Sequence, residues 1–140
     1  MLNSILMPVL VQVFLTLIVW WGVFYTRFKE AISKQVPPEK FQTRADVNQL
    51  LVDSQNVNNN LINLCELPVL FYVLALISFI TGITTPFILG AAWLFVVGRI
   101  AHSIIHCTYN HVMQRFYAYF ISTLSLQVLF VAICYSLLAG

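Results

Sequence analysis

Apolar residues run almost without interruption along four stretches of the 140-residue chain, and the polar ones gather between them. Charge-free runs cover Met1–Thr26, Leu67–Gly98 and Phe116–Gly140, with a shorter one over Ile100–Gln114. A helix needs about 20 mostly apolar residues to cross a bilayer. The 32-residue run from Leu67 is too long for one span and is interrupted by Ile80-Thr-Gly-Ile-Thr-Thr-Pro86. Gly82 marks a turn there, and Pro86 suits the first turn of a following helix. The pattern therefore predicts four spans, at 4–26, 57–80, 86–107 and 116–138. The second begins in the polar segment Gln55–Asn60, which predicts that its first turns are wet or shielded by protein. The first lacks a basic start, and its apolar run exceeds the 7–15 residues of a signal peptide, so it reads as a transmembrane helix.

Composition agrees with this reading. Sixty per cent of the residues are hydrophobic and 9% are charged, against about 25% charged in an average soluble domain. A soluble chain of this length has too small a core to hide so many apolar side chains. Disorder, nucleic-acid binding and a disulfide-stapled secreted fold all fit poorly. Cys65, Cys107 and Cys134 form no CxxC pair and read as apolar filler, with Cys107 near the cytoplasmic end of span three. The expected class is an all-α membrane protein, a four-transmembrane-helix bundle.

The net charge of +2 says little, but the placement of the charges says more. Five of the seven Lys/Arg (Arg27, Lys29, Lys34, Lys40 and Arg44) fall between spans one and two, and Arg115 falls between spans three and four. Positive residues mark the cytoplasmic side. Both basic connections are thus expected in the cytoplasm and both termini outside. The long connection, 27–54, also carries Glu30, Glu39, Asp46 and Asp53, and Pro37-Pro38 interrupts it. It reads as a solvated loop with a short helix around 39–53, and its acids nearly cancel its bases.

Ionisable residues inside spans cost about 2.5–3.5 kcal/mol each on insertion scales and are candidates for function. They are Glu66 in span two and Arg99, His102 and His106 in span three. Asn59, Asn63 and Glu66 share one helical face, and Arg99, His102, His106 and Asn110 share another. Glu66 and Arg99 lie at similar depths, about 13 Å from the cytoplasmic ends of their spans at 1.5 Å per residue. An ion pair between them, within one subunit or across an interface, is therefore expected. Structural glue between helices is the competing reading for these charges and for the two histidines. The HxxxH spacing of His102 and His106 fixes no third ligand, so no metal site is assigned. Pro68, just after Glu66, removes a backbone hydrogen bond and leaves the Leu64 carbonyl free.

Together, Asn63-Leu-Cys-Glu66-Leu-Pro68 and Arg99-Ile-Ala-His102-Ser-Ile-Ile-His106, followed by Tyr109-Asn110 and Arg115, resemble the MAPEG family, the membrane-associated proteins in eicosanoid and glutathione metabolism. That family includes microsomal glutathione transferases, a prostaglandin E synthase and the non-enzymatic five-lipoxygenase-activating protein. The resemblance spans residues 1–140 as a single domain, suggests a bacterial-type member, and implies a homotrimer with glutathione held between neighbouring protomers on the cytoplasmic side. It casts Asn63 and Glu66 as glutathione contacts and Arg115 as the catalytic residue that activates the thiol. His102 and His106 stand where tyrosines often line the site, and Arg27 resembles a further basic contact. Arg99, Asn110 and Asn59 complete the candidate glutathione-binding surface, with Asn59 standing where the family enzymes usually carry an arginine. The resemblance thus implies a glutathione-dependent transferase or peroxidase acting on lipophilic electrophiles that enter from the bilayer. Glutathione would be its co-substrate, lipophilic molecules or lipids its partners, and a bacterial inner membrane its location. The alternative is a non-enzymatic lipid-binding or scaffold protein of the same fold. A small transporter or proton relay through Glu66 and the histidines ranks third.

Overall fold

A computed structural model describes residues 4–139. Within them the chain is helical, with four long helices and a short arm between the first two. They are α1 (Leu6–Ser33), α2 (Arg44–Leu50), α3 (Gln55–Thr81), α4 (Pro86–Cys107) and α5 (Val112–Ala139), and a single 3-10 turn spans Pro38–Lys40. The four long helices are long and apolar enough to cross a membrane.

Helix boundaries follow local chemistry. Gly82 takes a left-handed conformation (φ +70°) and ends α3, which a residue without Cβ does at little cost. Thr85 caps α4 by accepting from the Ile88 N–H (3.2 Å), and Pro86 occupies its first turn. Helix α1 runs on to Ser33, past residue 26 where the apolar run stops. Residues 27–33 include no proline or glycine, and emerging from lipid does not by itself end a helix whose backbone bonds are internal. The connection is accordingly shorter than the 27–54 loop expected, and its own helix is α2, started by a Thr43–Asp46 capping box.

Glu30 explains how the arm is fastened. Although Lys29 precedes it, Glu30 is buried, and its carboxylate accepts from the backbone N–H of Asp53 and of Ser54 (both 2.9 Å) and from Lys34 Nζ (2.5 Å). One acid on α1 thereby satisfies donors at the start of α3, where the helix leaves its first N–H groups without internal partners. Lys34 also meets Asp53 at 3.2 Å. The hydrogen bond to Glu30, with help from Asp53, holds the Lys34 ammonium above its ordinary pKa.

Helix α4 is the most enclosed of the four, and its contact with α5 is the most extensive in the bundle. The core joins Phe71 and Ala75 of α3, Ile88, Ala92, Phe95 and Val96 of α4, and Leu129 and Ile133 of α5, with Phe71 and Phe95 stacked at 4.6 Å. Most other apolar side chains face outward, as lipid-facing surfaces do. Small residues let α4 and α5 approach closely. A Cβ built on Gly98 would lie 2.9 Å from Ser122 Cβ and 3.3 Å from the Ala118 carbonyl. Gly98→Ala is expected to lower stability by about 1–3 kcal/mol, as overpacked sites do. Unfolding in bilayer-mimicking micelles should show this, and adding Ser122→Gly should recover part of the loss. An unchanged melting temperature for the single variant would contradict the close approach.

Candidate functional site

The polar residues of α4 face inward as their spacing predicts. Arg99 is fully buried, His102 and His106 almost so, and all three lie on the stripe that also carries Phe95, Ala92 and Ile88. Arg99 Nη2 donates to the Asn63 carbonyl of α3 (2.8 Å), and its guanidinium carbon sits 5.4 Å from the centre of the Tyr119 ring on α5. A carbonyl and an aromatic face are two ways to hold a cation without a counter-ion. Its Nε and Nη1 remain buried without partners.

The expected ion pair with Glu66 does not form within the protomer. Among the described residues the only ion pairs are those of Lys34 with Glu30 and with Asp53. Glu66 lies on the exposed side of α3, whereas Arg99 is wholly covered by its own bundle. Equal depth along two helices does not set the direction in which each side chain points, and here the directions differ. Pro68 bears on the same place: it removes the N–H that the Leu64 carbonyl would accept, and the carbonyl Arg99 reaches is its neighbour, that of Asn63.

The turn between α4 and α5 positions Arg115. Asn110 adopts a left-handed conformation (φ +47°), and its Oδ1 accepts from Arg115 Nη1 (2.6 Å) while its Nδ2 donates to Asn56 Oδ1 on α3 (3.2 Å). Asparagine tolerates this backbone geometry better than most residues. His102 Nδ1 lies 3.1 Å from the Arg115 carbonyl. A carbonyl only accepts, so the ring proton sits on Nδ1 and a neutral ring keeps a lone pair on Nε2. That Nε2 and His106 Nδ1 are buried and unpartnered, and the two rings meet edge to face at 5.4 Å. A cavity of about 220 Å³ opens here, lined by His102, Val112, Arg115, Phe116 and Tyr119. It brings a cation, an imidazole and a phenol ring to one wall.

On α3 the face that carries Asn59, Asn63 and Glu66 turns away from the core. Asn59 is exposed, and Asn63 contributes its backbone carbonyl to Arg99. The inward residue is Asn60, fully buried, which donates from Nδ2 to Cys107 Sγ (3.3 Å) and accepts from Ser103 Oγ (3.3 Å). Asn60, Ser103 and Tyr119 were not singled out by the sequence pattern. A usable signal existed for the first, because the buried stripe Phe71, Pro68, Leu64 leads back to position 60 at helical spacing. Arg27 joins none of this: its Nη2 donates to Asn48 Oδ1 of α2 (3.4 Å) on the α1 side of the arm.

Four membrane-length helices around a buried Arg–His cluster define a multi-pass integral membrane protein with a polar site inside the bundle. Residues 5–135 match the model of the MAPEG family, and the chain belongs to that family. No curated protein and no solved structure matches it.

The two asparagines separate cleanly by experiment. Asn60→Ala is expected to cost about 0.5–2 kcal/mol, the range for hydrogen bonds between transmembrane helices. Asn59→Ala should change stability by less than about 0.5 kcal/mol, as surface substitutions do. Thermal unfolding of both variants measures the difference, and a larger effect at Asn59 would reverse the assignment of faces.

Proposed function

We propose that the chain is a glutathione-dependent transferase or peroxidase acting on lipophilic electrophiles that reach it from the bilayer. The observation that carries this reading is Arg115, steered by Asn110 into a small cavity beside His102 and Tyr119. Glutathione is anionic overall, with two carboxylates and one ammonium. A guanidinium fits its carboxylates bidentately, or favours the thiolate over the thiol. Each tenfold gain in the ratio of thiolate to thiol corresponds to about 1.36 kcal/mol of that preference. The thiolate is the nucleophile; it attacks an electrophilic carbon, and the displaced group leaves with the bonding electrons. In this reading Arg115 is the catalytic residue, and His102 and His106 line the site. Arg99 lies beneath the cleft as a fixed positive charge that draws the anion in.

Glu66, Asn63 and Asn59 supply the second wall. They lie toward the exposed side of α3, so glutathione would sit between this face and a neighbouring copy, with Glu66 accepting from its ammonium. A homotrimer in a bacterial inner membrane, with residues 34–54 in the cytoplasm and both termini outside, follows from the family pattern and the basic residues of the arm. A second reading, a non-enzymatic lipid-binding or scaffold protein, is favoured by one feature: position 59 is a neutral asparagine where the family enzymes usually carry arginine.

Ligand-induced stabilisation decides between the two. Glutathione at ten times its Kd should raise the stability of the purified protein by about 1.4 kcal/mol, and a thiolate absorbance should appear near neutral pH. Absence of both supports the scaffold. Arg115→Ala is expected to abolish conjugation while assembly, read by size exclusion, is unchanged; retained activity would remove Arg115 from catalysis.

A further inference from the structure

Asn110 makes the turn after α4, but that turn does not need its side chain. The residue takes a left-handed backbone conformation (φ +47°), and its N–H donates to the Ile105 carbonyl (2.8 Å). Glycine would make the same turn with less strain. The carboxamide is engaged elsewhere. Its Oδ1 accepts from Arg115 Nη1 (2.6 Å), and its Nδ2 donates to Oδ1 of Asn56 (3.2 Å), in the first turn of α3.

Donor and acceptor chemistry fixes the order of these three groups. A guanidinium only donates, so the amide oxygen of Asn110 must face Arg115. The amide nitrogen then faces α3 and needs an acceptor there, which Asn56 supplies. With the Asn110 amide turned over, N–H groups would confront the guanidinium and two oxygens would confront each other. Asn56 is itself close to an anchored point. Ser54, two residues earlier, is the N-cap of α3, and the buried Glu30 carboxylate accepts from its N–H (2.9 Å). The bond to Asn110 is the only hydrogen bond of the Arg115 guanidinium among the described residues. It leaves the edge formed by Nε and Nη2, which suits an anion.

We infer that Asn56 and Asn110 are positioning residues for Arg115. Asn56 orients the Asn110 amide across the α3 boundary, and the amide oxygen holds Nη1 so that the opposite edge of the guanidinium is presented to the anionic co-substrate. Asn110 thus acts through Arg115 and is not itself a glutathione contact. The identity of the anion rests on the glutathione reading, whereas the clamp rests on the hydrogen bonds alone.

Labelling by phenylglyoxal, which reacts faster with a free guanidinium than with an engaged one, tests the clamp in the full-length protein without glutathione. Peptide mass spectrometry reads the rate at Arg115. Asn110→Gly keeps the turn and deletes the amide, and Asn56→Ala deletes the acceptor on α3. Each should raise the rate about threefold, toward the low end of what one hydrogen bond is worth. Asn56→Asp, which keeps an acceptor, should label like wild type. So should Tyr109→Phe, which removes the hydrogen bond from Tyr109 to Gln114 at the same turn. In turnover with glutathione, Asn110→Gly and Asn56→Ala should lower kcat about tenfold and move KM by less than about twofold, the mark of a misplaced catalytic group. Asn56→Asp should restore kcat, and melting curves confirm that each variant is folded. Unchanged labelling in Asn110→Gly or Asn56→Ala, or an equal rise in Tyr109→Phe, would overturn the clamp. Faster labelling with unchanged kcat would overturn its part in the reaction. The expected labelling pattern in a protein that neither binds nor consumes glutathione would refute the glutathione reading and leave the clamp standing.

Discussion

A guanidinium with no solvent exposure, held inside a transmembrane bundle, is the constraint around which the rest is arranged. Among the described residues Arg99 forms no ion pair with a carboxylate. Its charge is held instead by the Asn63 carbonyl at 2.8 Å and by the face of Tyr119. Each support comes from a different helix, so moving α3 or α5 away would expose an unpaired cation to hydrocarbon. That outcome costs several kcal/mol at least. The cation thus makes the three-helix arrangement hard to change, whatever it contributes to chemistry.

The next residues along the chain use the same arrangement. Gly98, immediately before Arg99, lets α5 come close enough for Tyr119 to reach the guanidinium. One turn further on, His102 touches the Arg115 carbonyl, and the Asn110 turn aims the Arg115 side chain back toward α4. Close packing, a buried charge and a polar turn therefore succeed one another along α4 and into α5. The cavity at His102 and Arg115 exists where that packing opens toward the α4–α5 turn.

Much of this was legible in the chain. The charge-free runs located all four spanning helices, Gly82 and Pro86 located the turn between the second and third, and the spacing of Arg99, His102 and His106 identified the buried face of α4 correctly. These features depend on period and composition, which a single sequence displays. What was illegible depends on rotation and on distant partners. The expected Glu66–Arg99 pair rested on depth, and depth along an axis carries no information about which way a side chain faces. On α3 the polar run Asn58-Asn59-Asn60 offered several faces, and the buried one is set by packing against Ser103 and Cys107, 43 and 47 residues away. Glu30 looked like one more charge in a solvated connection because nothing near it in sequence shows that residues 53 and 54 fold back onto it.

The mismatch at Glu66 also bears on what the isolated protomer lacks. Arg99 is sealed within its own bundle. Glu66 itself faces outward from α3, within a membrane-length helix and with no hydrogen-bond partner among the described residues. An ionised carboxylate in that position is costly against lipid and far less so against a cation or a set of donors. The protomer therefore contains both a buried cation held by one carbonyl and an aromatic face and an outward-facing acid without a partner among the described residues. That asymmetry argues for a site between this face and something else, another copy of the chain or a ligand carrying an ammonium group. The interior cluster alone would serve equally well as structural glue. It is the outward acid, set on the same helix as the carbonyl that holds Arg99, that makes a binding surface the better account of the polar residues.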